Sequence, residues 1–440
     1  MPKTGMQQPK WPDHKYYKKI IKDISKYPNL VFPEEIIELK NELIKVSNGE
    51  KFVIQGGDCA ETFKNFNDEV IKNKLKILLQ MSAIIQFTTN IKTVNIGRIA
   101  GQYIKPRTSI NEVRNNITLP SYRGDGVNSI EFVKEKRIPN PKNLVKAYHQ
   151  SSSTMNLIRS LIMSGFTDIE NIELWHRDLI RNSKLGEKYN SIVNKIQKAL
   201  NFIHTSSDLD HYKTNHNANV YTSHEALIID YEKSFLEKYN NNIFCCSGHM
   251  LWVGDRTRDP KSMHIDFLSK LTNPIGIKIG PTFQIEDLQP LCNKLNSKNE
   301  KGKIILIIRL GEKNIEKILP KIIREVKYHG NELLWFCDPM HGNTIKSKNG
   351  YKTRNFNTII KELRHFFQIH QLENTIPGGV HFELTGEHVT ECLGGINNIQ
   401  DSDLDLRYET MCDPRLNNEQ SLEIAFLISK LMKTMENHNG

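Results

Sequence analysis

Four residues far apart in the chain, Cys59, His341, Glu383 and Asp413, each stand at or just beyond a short β-rich run. Together they offer one sulfur, one nitrogen and two carboxylates. Such a mixed set suits a divalent first-row metal with an open coordination position, rather than a closed structural zinc site. No C-x-x-C or H-E-x-x-H motif accompanies them. Taken singly, each has a plainer reading. Cys59 reads as a small buried thiol, His341 as a satisfied core histidine, Glu383 as the partner of a barrel arginine, and Asp413 as a cap on the turn before Pro414.

A second set is cationic. Arg98, Arg256, Lys278 and Arg309 also follow or close β-rich runs. Four cations at one site repel unless anions neutralise them, and guanidinium forks with a lysine are what phosphate and carboxylate recognition requires. The plainer reading of each is a salt bridge to a neighbouring acid, such as Asp255 beside Arg256. Lys105-Pro106-Arg107-Thr108 adds two cations and a hydroxyl on a stiff turn, suited to a second phosphate. The stretch from Leu119 to Gly126 reads as a loop beside it.

These groups need a scaffold that brings them to one end. Eight β-rich runs are expected: Phe52–Gln55, Thr93–Gly97, His249–Val253, Ile275–Ile279, Ile304–Ile308, Leu333–Cys337, Val380–Leu384 and Arg407–Met411. Helical stretches separate several of them, including Val70–Gln86 and Asn314–Tyr328, the latter carrying Pro320. Alternation of this kind predicts an α/β fold, a closed (β/α)8 TIM barrel, whose reactive groups sit beyond the C-terminal strand ends. Residues 1–48 read as an N-terminal extension with one helix, started by Pro33 and striped by Ile36, Leu39, Leu43 and Val46. Residues 49–440 read as the barrel. A helical insertion is expected after the second strand, over about 143–240. Its signals are Ile192, Ile196, Ala199 and Ile203 at helical spacing, and Thr222-x-x-Glu225 as a capping box.

Composition narrows the classes. Of the 440 residues 38% are hydrophobic and 25% charged, enough to bury a core. The 60 Lys+Arg against 50 Asp+Glu give +10, but no long basic block occurs, so anionic phosphorylated substrates are expected rather than nucleic acid. The longest aliphatic run, Ile304 to Ile308, is far short of the roughly 20 residues that cross a bilayer. The start, MPKTGMQQPKWPDHKYYKK, has no apolar signal core. No membrane association is expected, and a cytoplasmic location is. Seven cysteines, an odd number, read as reduced thiols. Cys59 and Cys412 flank the same expected mouth, where a reversible disulfide would remove a metal ligand.

The motifs as a group resemble one family. QGGDCAETF (55–63), GRIAGQYIKPRT (97–108), LPSYRGDGVN (119–128), YTSHEALIIDYE (221–232) and SGHMLWVGDRTR (247–258) are followed by GIKIGP (276–281), CDPMHGN (337–343), HFELTGEHVTECLGG (381–395) and YETMCDPRLN (408–417). In this order they are similar to the type II (plant-like) 3-deoxy-D-arabino-heptulosonate 7-phosphate (DAHP) synthases, which open the shikimate pathway to chorismate and the aromatic amino acids. The likeness runs from about residue 10 to 430.

The resemblance implies a (β/α)8 barrel that condenses phosphoenolpyruvate with D-erythrose 4-phosphate and water, giving DAHP and phosphate. It implies a divalent metal, Mn2+ or Co2+, held by Cys59, His341, Glu383 and Asp413. Cys59, Lys278, His341 and Glu383 would then be the catalytic groups. Arg98, Asp255, Arg256, Lys278 and Arg309 correspond to the phosphoenolpyruvate site, and Lys105, Arg107 and Thr108 to the aldose-phosphate contacts. The family commonly has glutamate where this chain has Asp255. The water that adds to the substrate has Asp255 and Glu383 as candidate activators. The longer members of the family imply a homo-oligomer, dimer or tetramer, with the helices near 168–212 at an interface, and an aromatic amino acid as effector. Against this stand a different metal-dependent barrel enzyme acting on a sugar phosphate, and a regulatory homologue without activity.

Overall fold

The computed structural model describes residues 7–168, 171, 174–175, 184–188, 194, 198 and 219–439. Eight parallel strands close into a barrel: Lys51–Gly57, Lys92–Arg98, Val220–Glu225, Met250–Val253, Ile275–Ile279, Ile304–Ile308, Leu333–Cys337 and Gly379–Glu383. Each lies beside its neighbours in sequence, and the eighth pairs with the first to complete the ring. The fold is a (β/α)8 barrel, with helices such as Asp68–Thr89, Ile315–His329 and Phe356–Leu372 packed around it. Pro320 lies inside Ile315–His329 without dividing it.

Two strand assignments need correction. Arg407–Met411 is not a strand; it is an irregular loop held by polar contacts, among them the Tyr408 hydroxyl donating to the Lys352 carbonyl at 2.6 Å. The missing strand is Val220–Glu225, which the Thr222/Glu225 spacing assigns to a helix cap. Polar residues stand on both of its faces, Ser223 inward, where it receives a hydrogen bond from Gln55 at 2.9 Å, and His224 outward against Glu232, so no apolar alternation marks it. This strand, and the hairpin of Leu236–Tyr239 with Asn242–Cys245, fall inside or at the edge of the stretch read as a helical insertion over 143–240, yet both are β structure. Lys142–Met163 is a helix. Ile192, Ile196, Ala199 and Ile203 lie outside the described residues, as does most of the 168–212 region expected at an interface.

Strand period explains how the site is built. Side chains two apart share a face. Ile304, Leu306 and Ile308 point outward into the main core, whereas Ile305 and Ile307 join Val53, Ile96, Met250, Trp252 and Phe336 inside the ring. Continuing the inward rows to the C-terminal strand ends brings up Arg98, Glu225, Trp252, Lys278, Arg309, Asp338 and Glu383. The opposite end is stoppered by the helix Pro33–Ser47, whose Leu39, Leu43 and Val46 belong to the interior cluster. Pro33 opens that helix, and the Glu35 carboxylate accepts from the Phe32 N–H at 2.8 Å.

Burial also sets a pH limit on the fold. His249 and His370 are both pulled by burial from an ordinary 6.5 down to about 3. His249 Nδ1 accepts from the Thr222 N–H at 2.9 Å, a role only the neutral ring can fill. The unfolded chain binds these protons at higher pH than the fold does. Their contribution is therefore fully present above pH 6.5 and is lost as pH falls through the window down to about 3. Each is worth on the order of a few kcal/mol. His370→Gln should flatten the fall of the thermal midpoint between pH 7 and pH 4; an unchanged slope would remove His370 from the account.

Candidate active site

One cavity of about 460 Å³ opens at the C-terminal mouth of the barrel. It is lined by Cys59, Arg98, Lys105, Arg107, Thr108, Asp255, Arg256, Lys278, Arg309, His341 and Asp413. Glu383, the remaining residue singled out in the sequence, lies against these groups and is fully buried.

Donor atoms of Cys59, Glu383 and Asp413 lie within 4.8 Å of one another. His341 joins them: its Nε2 is 3.0 Å from Glu383 Oε1. Behind the ring, His341 Nδ1 meets Asp338 Oδ2 at 2.8 Å. A carboxylate there holds a proton on Nδ1 and turns Nε2 toward the donor set as a lone pair, the usual arrangement behind a metal-ligating histidine. The Cys59 Sγ donates to Asp413 Oδ2 at 3.2 Å. Burial, a hydrogen bond with Cys412 and the nearby Asp413 charge push the Cys59 thiol well up. For Glu383, burial alone would raise the carboxyl, but His341, Arg354, Lys105 and Arg98 hold it well below the usual range. One thiol, one imidazole and two carboxylates so placed fit a divalent ion, with Lys105 beside them: its ammonium donates to Asp413 Oδ2 at 2.6 Å and also contacts Cys59 Sγ.

The cations are held by acids from below. Arg98 Nη2 donates to Glu383 Oε1 at 3.1 Å, and its Nη1 lies 3.1 Å from His381 Nε2. Lys278 Nζ is 3.1 Å from Asp338 Oδ2, and burial draws its ammonium below the usual lysine range. Arg309 donates to Asp255 Oδ2 and, at 2.7 Å, to the His341 carbonyl. Asp255 Oδ1 takes Arg258 at 3.1 Å. The aspartate carboxylate thus spends both oxygens on two arginines. Arg256 donates to the Thr108 hydroxyl through Nε at 3.1 Å, which joins the Lys105–Thr108 turn to the same rim.

Four contributors received no role in the site from sequence. Asp338 orients His341 and Lys278. The Trp252 ring lies 5.5 Å from the Arg98 guanidinium carbon and 5.9 Å from Lys278 Nζ. Glu225 lines the cavity with Oε1 unpartnered, and burial raises its carboxyl above the usual range. Gly254 makes room for it, since a Cβ there would come within 2.5 Å of that oxygen. Arg354, from Lys352–Arg354, donates to Glu383 Oε2 at 2.7 Å. The inward strand parity described above is the signal that finds Asp338, Trp252 and Glu225.

Fold and site together define a (β/α)8 enzyme class with a thiol–imidazole–carboxylate donor set beside an anion-binding cluster. The Class-II DAHP synthetase family model matches residues 2–429, and the chain belongs to that family. It is 41% identical over 430 residues to the Streptomyces coelicolor protein named phospho-2-dehydro-3-deoxyheptonate aldolase, covering 97% of this chain and 95% of that one. It is 40% identical over 438 residues to phospho-2-dehydro-3-deoxyheptonate aldolase AroG of Mycolicibacterium smegmatis, covering 98% and 93%. A truncated 3-deoxy-D-arabino-heptulosonate 7-phosphate synthase from Thermotoga maritima aligns at 13% identity and a TM-score of 0.34, over 88% of this chain and 86% of that one. The barrel itself stands on the strand pairing. Among the described residues no helix is long and apolar enough to cross a membrane.

Proposed function

We propose that this enzyme is a metal-dependent 3-deoxy-7-phosphoheptulonate synthase, joining phosphoenolpyruvate to D-erythrose 4-phosphate to give DAHP and phosphate. The observation that carries the reading is the convergence, at one cavity and the wall behind it, of the four-residue donor set with two groups of cations. Cys59, His341, Glu383 and Asp413 would hold Mn2+ or Co2+. When bound, that ion supplies Lewis-acid polarisation of the aldehyde oxygen.

The remaining work falls to the chain itself. Arg98, Lys278 and Arg309 line one side, where they pair the phosphate and carboxylate of phosphoenolpyruvate and turn its C3 toward the aldehyde. Asp255 keeps Arg309 and Arg258 from splaying apart. Arg107 and Thr108 take the aldose phosphate, with Lys105 between them and the donor set; Arg256, expected from sequence at the phosphoenolpyruvate site, joins them here because it donates to the Thr108 hydroxyl. Water then adds at C2 and phosphate departs. Glu383 and Asp255 have their oxygens committed to cations, whereas Glu225 Oε1 is unpartnered, so Glu225 is the better group to receive the water proton. Glu225→Gln should lower kcat by on the order of 10² while leaving cobalt affinity unchanged. Wild-type turnover in that variant would return the role to another group.

The direct test incubates the reduced protein with both substrates and manganese and follows loss of the enol phosphate absorbance. Loss should require the aldose and stop with chelator. Consumption of phosphoenolpyruvate without the aldose, or none in a folded protein with either metal, would overturn the proposal.

A further inference from the structure

Arg354 takes no part in the chemistry above and is not among the residues lining the catalytic cavity. It is nevertheless fully buried, at the end of Lys352–Arg354, which pairs antiparallel with Thr344–Lys346. Burying a guanidinium is costly unless its charge and its donors are met. Here they are met in an unusual pattern. Nη2 donates to Glu383 Oε2 at 2.7 Å. Nε donates to the carbonyl of Met340 at 2.8 Å, the residue before His341. Nη1 donates to the carbonyl of Pro414, the residue after Asp413. A longer contact, Nε to Thr344 Oγ1 at 3.2 Å, ties the fork to its own hairpin.

Neutralising Glu383 would need only the first of these contacts. The other two reach the backbone of the loops that deliver His341 and Asp413. One planar group therefore touches three of the four donor-bearing segments. It fixes Glu383 Oε2, which leaves Oε1 facing His341 Nε2 and Arg98. It also ties the two flanking carbonyls to one rigid frame, so neither loop can shift without breaking a buried hydrogen bond.

We infer that Arg354 is a positioning residue for the metal centre, setting the rotation of the Glu383 carboxylate and the spacing between the His341 and Asp413 loops. The inference rests on reading those residues as ligands. Its consequence is on metal affinity rather than on substrate binding. Lysine at this position keeps the charge but has no fork to reach three loops, so charge and geometry can be separated.

The test is a cobalt titration of the full reduced chain, read from the thiolate-to-cobalt absorption band, with Cys59→Ala as the blank. Arg354→Lys should bind cobalt about 10- to 100-fold more weakly, as loss of groups behind a ligand set typically costs. At saturating cobalt its KM for phosphoenolpyruvate should stay within about twofold of the unaltered enzyme, as expected when substrate contacts are intact. Arg354→Met should bind more weakly still; should it fail to fold, Arg354→Lys decides alone. A folded Arg354→Lys with unaltered cobalt affinity overturns the inference. A cobalt band in the unaltered protein that Cys59→Ala lacks establishes the ligand reading separately, and no band in the unaltered protein brings down both.

Discussion

Cys59→Ala should reduce turnover by on the order of 10³, comparable with removing a main electrostatic contributor to a transition state. Cys59 supplies the one sulfur among the four donors, and its Sγ also receives the Asp413 N–H at 3.2 Å. Alanine removes a donor and leaves Lys105 to Asp413, whose ion pair with it is already formed at 2.6 Å. The loss should appear in kcat and in cobalt affinity together, and excess metal should restore only part of it. Stability should barely change, because one small buried side chain gives way to another of similar size. Turnover within tenfold of the unaltered enzyme would mean that Cys59 is the plain buried thiol of the alternative reading.

Arg415→Met should destabilise the fold by about 3–5 kcal/mol, the typical cost of removing one partner from a buried ion pair. Arg415 is buried beside the Asp413 turn and meets two acids at once. Nη1 donates to Asp58 Oδ1 at 2.9 Å, and Nη2 to Glu391 Oε1 at 2.7 Å. Its Nε and backbone N–H both donate to Glu391 Oε2, at 3.0 and 2.7 Å. Lys74 holds the other Asp58 oxygen. Burial alone would raise the Asp58 carboxyl, but Lys74 and Arg415 hold it below its ordinary value. Its share of stability is thus present above the unfolded carboxylate pKa and lost as pH falls through the lower folded value. Methionine would leave Glu391 without its side-chain donors and Asp58 with Lys74 alone. Denaturant unfolding at neutral pH measures the loss, and Glu391→Gln in the same chain should recover part of it. A loss below about 1 kcal/mol would show that the network relaxes around the gap.

The barrel and most of its mouth could be read from sequence because two simple periodicities carry them. Runs such as Ile304–Ile308 are apolar on both faces, as a strand packed on both sides requires. The residue types that follow them recur at one end of the ring. Val220–Glu225 escaped because its inward side chains include Ser223 and Glu225, and a strand lined with polar groups looks like a cap. Arg407–Met411 misled for the opposite reason: β-favouring residues there serve as a brace for the Asp413 turn. Arg354 could not have been found by position along a strand. Its importance lies in reaching three loops across space, which linear order does not record. Asp255 shows a further limit, since its partner Arg309 explains its place only once the fourth and sixth strands stand on either side of the fifth.

The stopper helix Pro33–Ser47 has a consequence for how the molecule is assembled. During synthesis it emerges early, yet its seat is not finished until the Gly379–Glu383 strand arrives and the ring shuts. A Cβ on Gly378, just before that last strand, would come within 3.0 Å of Val46, so stopper and closing strand meet at the same seam. Between those moments, Leu39, Leu43 and Val46 have no complete partner surface. Contacts so distant in sequence form slowly, and a nascent chain with an unburied apolar stripe is vulnerable to aggregation meanwhile. A helix made early is among the last to find its place, so the yield of soluble protein depends on how long that stripe is shielded.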